Sequence, residues 1–163
     1  MYIQNYITKL LTVLCLTACS SAINAQTLTS LDAAIVGDWS CTEAMDYMGY
    51  DAKSQMQWSF QKNQQQRQKT VSTLENEREK AQFNYEIQAR WHLKGMKLIL
   101  DQYDVKKFST DHPELEAKVN LKAALADPEP MELKIKTLTA NEMLLNLMIF
   151  DMEVEEFSIV CKR

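Results

Sequence analysis

Residues 81–93 read AQFNYEIQARWHL, and this stretch decides the fold. Its odd-numbered residues are apolar without exception, from Ala81 to Leu93, and every residue between them is polar or charged. Successive side chains of a β-strand point to opposite faces, whereas a helix would distribute these apolar residues around its circumference. We therefore predict a long strand with one buried face. The turn Lys94-Gly95 and a return strand from Met96 follow it.

Similar alternation occurs along most of the chain. Further strands are predicted at residues 35–41, 52–61, 70–74, 103–107, 131–136, 143–150 and 154–161. Residues 43–51 and the polar stretch 61–69 lack a clear period of two, so both are predicted to be loops. Residues 27–35 contain helix formers behind Ser30, which predicts a single helical turn.

One longer segment has helical features. Pro113 stands at a predicted helix start with acidic neighbours, and Leu115 and Val119 are four residues apart. Asp127-Pro128 ends the pattern. The chain is therefore predicted to be mainly β. We expect a small antiparallel β-barrel or sandwich of about seven to nine strands, with one helix inserted near residues 113–126.

The N-terminus has the pattern of an export signal. Lys9 precedes the apolar run 10–18, which is too short to span a bilayer and matches the core of a signal peptide. Residues 1–25 are predicted to be this signal, and residues 26–163 a single domain. The 163-residue chain then leaves one domain of ordinary size.

Two cleavage sites are compatible with this signal. Leu16-Thr17-Ala18-Cys19 resembles the lipobox of bacterial lipoproteins, which implies cleavage before Cys19 and acylation of its sulfur. Ser20 after it then favours an outer-membrane lipoprotein that faces the periplasm. Cleavage after Ala25 would instead release a soluble periplasmic protein. In either case the predicted location is the cell envelope.

The cysteines also bear on the fold. Cys15 leaves with the signal and Cys19 is lipidated or lost, so Cys41 and Cys161 remain in an oxidising compartment. We predict a disulfide between them, with two free structural thiols as the alternative. The chain-entropy model assigns such a long loop about 4–5 kcal/mol of stabilisation. A disulfide between the first and last predicted strands favours a barrel over a sandwich.

The first predicted strand carries a motif of one known family. Gly37-Asp38-Trp39, behind a short helical turn, resembles the Gly-x-Trp motif of lipocalins and related calycin barrels. The resemblance implies that Trp39 closes one end of a barrel and that a basic residue near the last strand packs across it. Lys162 and Arg163 stand at that place, and Arg163 is favoured because a guanidinium stacks well on indole.

The sequence offers little for catalysis or metal binding. His92 and His112 are the two histidines, and neither accompanies a recognisable nucleophile motif or zinc-binding spacing. The net charge of −4 and the lack of a basic stripe argue against nucleic acid, and leave a lipid anchor as the expected membrane contact. We therefore expect no enzyme activity, cofactor or metal.

The predicted barrel interior is rich in aromatic residues, which either fill it or line a cavity for a small apolar molecule. The candidate ligand-binding residues are Trp39, Trp58, Phe83, Tyr85, Trp91 and Arg163. The expected function is a non-enzymatic envelope module that binds a small apolar ligand or an envelope protein. The alternative is a structural or assembly lipoprotein that contacts a partner protein through its outer surface.

Overall fold

A computed structural model of the protein describes residues 31–126 and 128–163, and its main compact unit is Ala34–Arg163. The signal peptide, the lipobox and Cys19 lie outside the described residues. Residues 31–35 are helical and form α1. The eight strands are β1 (Gly37–Tyr47), β2 (Tyr50–Phe60), β3 (Gln65–Glu75), β4 (Lys80–Lys94), β5 (Lys97–Thr110), β6 (Met131–Leu138), β7 (Glu142–Ile149) and β8 (Met152–Lys162).

Two short helices, α2 (Pro113–Val119) and α3 (Leu121–Ala126), lie between β5 and β6. Within the described ranges, no helix has the length and apolar character needed to cross a membrane.

The strands form a closed barrel in which each strand pairs with its neighbours in the chain. All these pairs are antiparallel, and Ser40 to Glu43 of β1 pair with Ile159 to Lys162 of β8 to complete the ring. A closed ring leaves no division into two sheets, so the barrel prediction is confirmed and the sandwich alternative is wrong.

The alternating stretch at residues 81–93 is confirmed as the inner face of β4. Its apolar side chains from Ala81 to Trp91 are all buried. The strand is long because it pairs along most of its length with both β3 and β5. The register with β5 shifts between Glu86 and Ile87 and again between Gln88 and Arg90, which lets the long ladder bend around the barrel.

The predicted disulfide is confirmed. Cys41 of β1 and Cys161 of β8 are direct partners in the strand register, with their Cα atoms 4.0 Å apart. The bond therefore crosses the seam where the first and last strands meet. The two cysteines are 120 residues apart in sequence, so the loop that the disulfide closes contains most of the barrel.

Both predicted loops are too long, since turns occupy only residues 48–49 and 61–64 of them. β1 and β2 continue through residues 43–51, and only Met48-Gly49 forms the turn between them, both with positive φ. In the polar stretch 61–69, the strand β3 already begins at Gln65, and Gln66 is fully buried. The alternation was hidden because polar side chains occupy inward positions on β3. The predicted short strand at 103–107 is part of the continuous β5.

The inserted helix lies where it was predicted, but it is not continuous. α2 ends at Asn120, which adopts a left-handed conformation with φ of 52° and donates its N–H to the carbonyl of Glu116. Asparagine tolerates this conformation better than most residues, so it ends one helix before Leu121 begins the next. A sequence pattern of period four cannot reveal this break, because it continues through both helices.

Candidate functional site

One end of the barrel, which we call the sealed end, is closed around Trp39. Its indole is buried, and Nε1 donates to the carbonyl of Ile35 at 2.8 Å. The Arg163 guanidinium lies over the ring, 4.0 Å from its centroid. This is the contact that the Gly-x-Trp resemblance implied. Among the candidate ligand-binding residues, Trp39 and Arg163 are thus engaged with each other.

Arg163 also binds the backbone around it. Its Nη2 donates to the carbonyls of Ala34 at 2.9 Å and Val36 at 2.7 Å, and its Nη1 donates to Ala140 at 3.2 Å. Gly37 has a φ of +128°, and a Cβ there would lie 3.2 Å from Nη2. The C-terminal residue therefore ties the start of β1 to the β6–β7 turn, and Gly37 leaves it the space to do so.

Two more of the candidate tryptophans lie near this end. Trp58 is the register partner of Trp39, and its ring makes an edge contact with Phe60 at 5.7 Å between centroids. Phe60 makes a second edge contact, also at 5.7 Å, with Trp91. The Trp91 indole donates to the carbonyl of Gln61 at 3.0 Å. These aromatic rings pack on one another and fill the interior next to the sealed end.

The remaining candidates, Phe83 and Tyr85, lie toward the other end, which we call the capped end. Both rings pack near Phe108 of β5, at 6.2 and 6.5 Å between centroids. Leu115 and Val119 of α2 are buried in the same cluster. The sequence prediction therefore named two separate groups of residues, one at each end of the barrel.

The helices cover the capped end. Leu115 packs in a cluster with inward residues of β2, β3 and β4, among them the small side chains Ala52 and Ala81. His112 caps α2, since its Nδ1 accepts a hydrogen bond from the N–H of Leu115 at 3.1 Å. No side chain of α3 is fully buried. The cap thus depends mainly on the one turn of α2 that carries Leu115 and Val119.

One ionic contact ties α2 to the barrel rim. Lys118 Nζ donates to both oxygens of Glu79 at 3.0 Å, and the Tyr50 hydroxyl donates to Glu79 Oε1 at 2.6 Å. These hydrogen bonds, first from Tyr50 and then from Lys118, lower the pKa of the Glu79 carboxyl. Glu79 lies next to the β3–β4 hairpin, so the contact joins the helix to that hairpin.

A polar cluster faces the interior beside Phe83 and Tyr85. The cluster comprises Glu43, Ser54, Thr70, Ser72 and Tyr85. Glu43, Ser54 and Ser72 are successive register partners across β1, β2 and β3. The Ser54 hydroxyl donates to Ser72 Oγ at 3.1 Å.

The rest of the cluster continues this network. Thr70 and Tyr85 are register partners on β3 and β4. Gln68 donates to Thr70 Oγ1 at 2.8 Å. Burial, and then the charge of Glu43, raise the pKa of the Tyr85 hydroxyl, so it remains protonated. Burial likewise raises the pKa of the Glu43 carboxyl, opposed by Ser54.

Sequence reasoning identified Tyr85 and missed the other members of the cluster. Glu43 was assigned to a loop, and Thr70 and Ser72 were treated as an unremarkable strand. The sequence does contain a signal for this strand, in which uncharged polar residues alternate with mostly charged ones. The uncharged residues that share the inner face of β3 are Gln66, Gln68, Thr70 and Ser72. A search for apolar alternation cannot detect such a strand.

The barrel wall opens beside Glu43. The last pair between β1 and β8 joins Glu43 to Ile159, and beyond it residues 44–47 pair only with β2 among the described strands. On the facing edge of β8, residues 152–158 have no register partner on β1, and residues 154–157 also have none on β7. We call this place the seam. Glu43 therefore lies on the inner face where the wall changes from a paired to an unpaired edge.

Two buried polar side chains near the sealed end have no hydrogen-bond partner among the described residues. They are Gln66, through both amide atoms, and Trp58, through Nε1. Phe60 pairs with Gln66 and Trp58 pairs with Gln68, so the two groups are diagonal neighbours. Buried polar atoms usually have a hydrogen-bond partner, so these atoms are exceptions within the described barrel.

The two histidines lie in separate parts of the barrel. His112 serves as the helix cap, while His92 lies on the outer face with Nδ1 3.7 Å from Asp101 Oδ2. In the part of the chain that the structure describes, no three His, Cys, Asp or Glu side chains are arranged to hold a metal ion.

Comparison with known proteins adds no assignment: no protein-family model matches the chain, and no curated protein is significantly similar to it. The function therefore has to be argued from the fold and from the interior side chains.

Proposed function

We propose that the protein is a non-enzymatic binding module of the lipocalin type, which holds a small molecule inside its barrel. The observation that carries this proposal is the unequal closure of the two ends. Trp39, Arg163 and the disulfide hold the sealed end. Two short helices cover the capped end. An eight-stranded barrel has an interior large enough for one small ligand when its side chains leave room.

The lipocalin assignment is supported by the Gly-x-Trp motif and its basic partner. Gly37, Trp39 and Arg163 occupy the relative positions that the resemblance implies, at the closed end of an up-and-down barrel. The proposed location is the cell envelope, either as a lipoprotein anchored through Cys19 or as a soluble periplasmic protein. The disulfide supports this location, because such bonds persist in oxidising compartments.

The proposal is tested with a neutral apolar fluorophore, N-phenyl-1-naphthylamine. We expect saturable binding of one molecule per barrel with quenching of tryptophan emission, because Trp58 and Trp91 lie in the interior. Leu145→Trp fills the interior and should weaken this binding at least about tenfold. Val71→Trp is the matched control, since Val71 is exposed on the outer face of β3.

Both variants are first checked for a native near-ultraviolet circular dichroism spectrum. Equal weakening by Leu145→Trp and Val71→Trp, or the absence of saturable binding to the wild type, would show that the interior is not the binding site.

A second candidate function, contact with a partner protein of the envelope, is favoured by the β7–β8 hairpin. Phe150 at its tip is 91% exposed, with Ile149 and Met152 exposed beside it. Phe150 and Asp151 have φ of 49° and 63°, a conformation that is unfavourable for a bulky residue. An exposed aromatic residue in such a turn is unusual for a surface without a partner.

A photo-crosslinking residue at position 150 tests this second function in cells. We expect one discrete adduct from position 150 and none from position 77, which lies in the β3–β4 turn at the same end of the barrel. Equal labelling from both positions would contradict a specific partner at the hairpin.

A further inference from the structure

The wall of the barrel has an unpaired strand edge on β1, at the seam. β1 pairs with β2 along its whole length, whereas its pairing with β8 ends at Glu43. Beyond that pair, residues 44–47 have no described strand beside them on the β8 side. We call residues 44–47 the open edge. Ala44, Met45 and Asp46 are exposed, so no described part of the chain covers it.

The disulfide shows which backbone groups of β1 point into the seam. In an antiparallel ladder, partners whose Cα atoms are only about 4.5 Å apart are the non-hydrogen-bonded pairs, and their backbone groups point away from each other. Cys41 and Cys161 are such partners, with 4.0 Å between their Cα atoms. The backbone N–H and C=O of Cys41 therefore point toward β2, and those of every second residue after it do the same.

Ala44 and Asp46 have the opposite direction, so their backbone N–H and C=O groups point into the seam. The hairpin turn Met48-Gly49 supports this assignment, because a β-turn joins the carbonyl of its first residue to the N–H of its fourth, which are Tyr47 and Tyr50. Tyr47 therefore bonds to β2, and Asp46 before it does not. Among the described turns, loops and caps, neither Ala44 nor Asp46 donates its N–H to a backbone carbonyl.

The outer face beside the open edge is acidic. Asp46 and Asp51 are register partners on β1 and β2, and neither takes part in an ion pair with any described residue. Like charges directly opposite each other are unfavourable. Lys53, the register partner of Ala44, is a single cation on the same face. This surface is therefore complementary to basic side chains, and it disfavours pairing with a second copy of the same acidic edge.

The inner face of the open edge is apolar. Met45 has the inward parity of Trp39 and Cys41, yet it is 37% exposed. Met48, at the tip of the same hairpin, is 66% exposed. The side chains of a strand added to this edge would lie alternately beside Met45 on the inner face and beside Asp46 on the outer face. The occupant that fits is an extended segment in which apolar and basic residues alternate.

We propose that the open edge of β1 binds an extended segment of a partner protein in which basic and apolar residues alternate. The segment adds a strand to the barrel wall through backbone hydrogen bonds to Ala44 and Asp46. Its basic side chains lie beside Asp46 and Asp51, and its apolar side chains contact Met45. Strand addition of this kind takes its affinity from the backbone and its specificity from alternate side chains. The inference goes beyond a ligand inside the barrel and a contact at Phe150, because it uses only the edge of β1.

Three blocked octapeptides test the pairing and the charge. The first alternates valine with lysine, the second alternates valine with glutamate, and the third is the lysine peptide with two of its valines replaced by proline. Calorimetric titration of the intact, disulfide-bonded protein should show the lysine peptide binding at least about tenfold more tightly than either of the others. Asp46 and Asp51 repel the glutamates, and proline has no N–H with which to pair along the edge.

Hydrogen exchange of the wild-type protein reads the pairing residue by residue and needs no variant. Without peptide, the amides of Ala44 and Asp46 should exchange faster than that of Met45, which bonds to β2. Saturation with the lysine peptide should slow exchange at Ala44 and Asp46 at least about tenfold and leave Met45 unchanged. The proline peptide at the same concentration should slow neither amide.

Ala44→Pro removes one N–H from the open edge and keeps the pairing with β2, since proline is tolerated on an edge strand where its N–H would face away from the ladder. It should weaken binding of the lysine peptide about tenfold. Ala44→Val is the matched control, because it keeps the N–H, and it should leave the affinity within about twofold. Both variants are first checked for a native near-ultraviolet circular dichroism spectrum.

The outcomes separate this inference from the proposed function. Equal affinities for the lysine and proline peptides, unchanged exchange at Ala44 and Asp46, or equal effects of the two variants would overturn the strand-addition site. Exchange at these amides that slows with protein concentration alone would show that the edge pairs with a second copy, which also overturns it. Binding of the fluorophore and crosslinking from position 150 do not depend on any of these results.

Discussion

At the sealed end, the contacts join the first strand to the last, whereas at the capped end they dock one short helix onto strands that are paired without it. Arg163 bonds to carbonyls of residues 34–36, and Cys161 bonds covalently to Cys41. The cap is a short helix with two buried side chains and one ionic contact to Glu79. Opening the sealed end therefore requires separation of the first and last strands.

The capped end can open by a smaller movement. Undocking of α2 exposes Leu115 and Val119 and breaks the Lys118–Glu79 contact, while the strand ladders stay paired. Local openings of this kind have lower free energies than global unfolding. The proposed ligand would therefore enter past the helices, and three variants test the difference between the ends in order of decreasing effect.

The largest effect is expected from removal of the disulfide. The double variant Cys41→Ser with Cys161→Ser should lower the free energy of unfolding by about 4–5 kcal/mol, because the open chain gains the entropy that the long loop excludes. Urea unfolding measures this loss. Wild-type protein in a reductant is the control and should unfold at the same urea concentration as the double variant. A loss below about 1 kcal/mol would mean that the sealed end does not depend on the bond.

An intermediate effect is expected from the cap. Leu115→Ala should destabilise the protein by about 2–4 kcal/mol, since Leu115 is fully buried in the cluster beneath α2. It should also accelerate hydrogen exchange in α2 more than in β1. Leu121→Ala is the control, because Leu121 is only partly buried and its loss should be clearly smaller. Equal acceleration in α2 and β1 would show that the cap opens only by global unfolding.

The smallest effect is the response of the cap to acid. The pKa of Glu79 in the folded protein lies below its ordinary value of 4.5. The ionised carboxylate therefore helps to hold α2 on the barrel above pH 4.5, and this stabilisation is lost as the pH falls through the lowered pKa. The protection of α2 amides, measured relative to their intrinsic exchange rates at each pH, should therefore fall below about pH 4.5, and Glu79→Gln should show the lower protection already at about pH 7.

Glu153 provides the control for the acid response. Lys134 and Lys136 lower the pKa of its carboxyl to about 2, and it lies on β8, away from α2. Glu153→Gln should leave the exchange of α2 and its pH dependence unchanged. An acid response of α2 that persists in Glu79→Gln would remove Glu79 as its cause.

The elements that sequence reasoning predicted share one property: their inward side chains are apolar. β4 and β6 were identified because alternation of apolar and polar residues is the direct consequence of one buried face. β3 was not identified along its full length, since Gln66 and Gln68 point inward and resemble solvent-exposed residues in a one-dimensional pattern. The candidate site was therefore only half visible: its aromatic rings were found, and Glu43 and the serines were not.

By itself the sequence determined the strand character of the alternating segments and the Cys41–Cys161 pairing, which depend on a period of two and on the small number of cysteines available. The contact between Trp39 and Arg163 was implied by the resemblance of Gly37-Asp38-Trp39 to the lipocalin motif. Only the tertiary structure decided which polar side chains face inward, where α2 breaks and that the wall opens beside Glu43. The physical reason is that burial of a polar group depends on partners from other strands, which pairing alone brings within hydrogen-bonding distance.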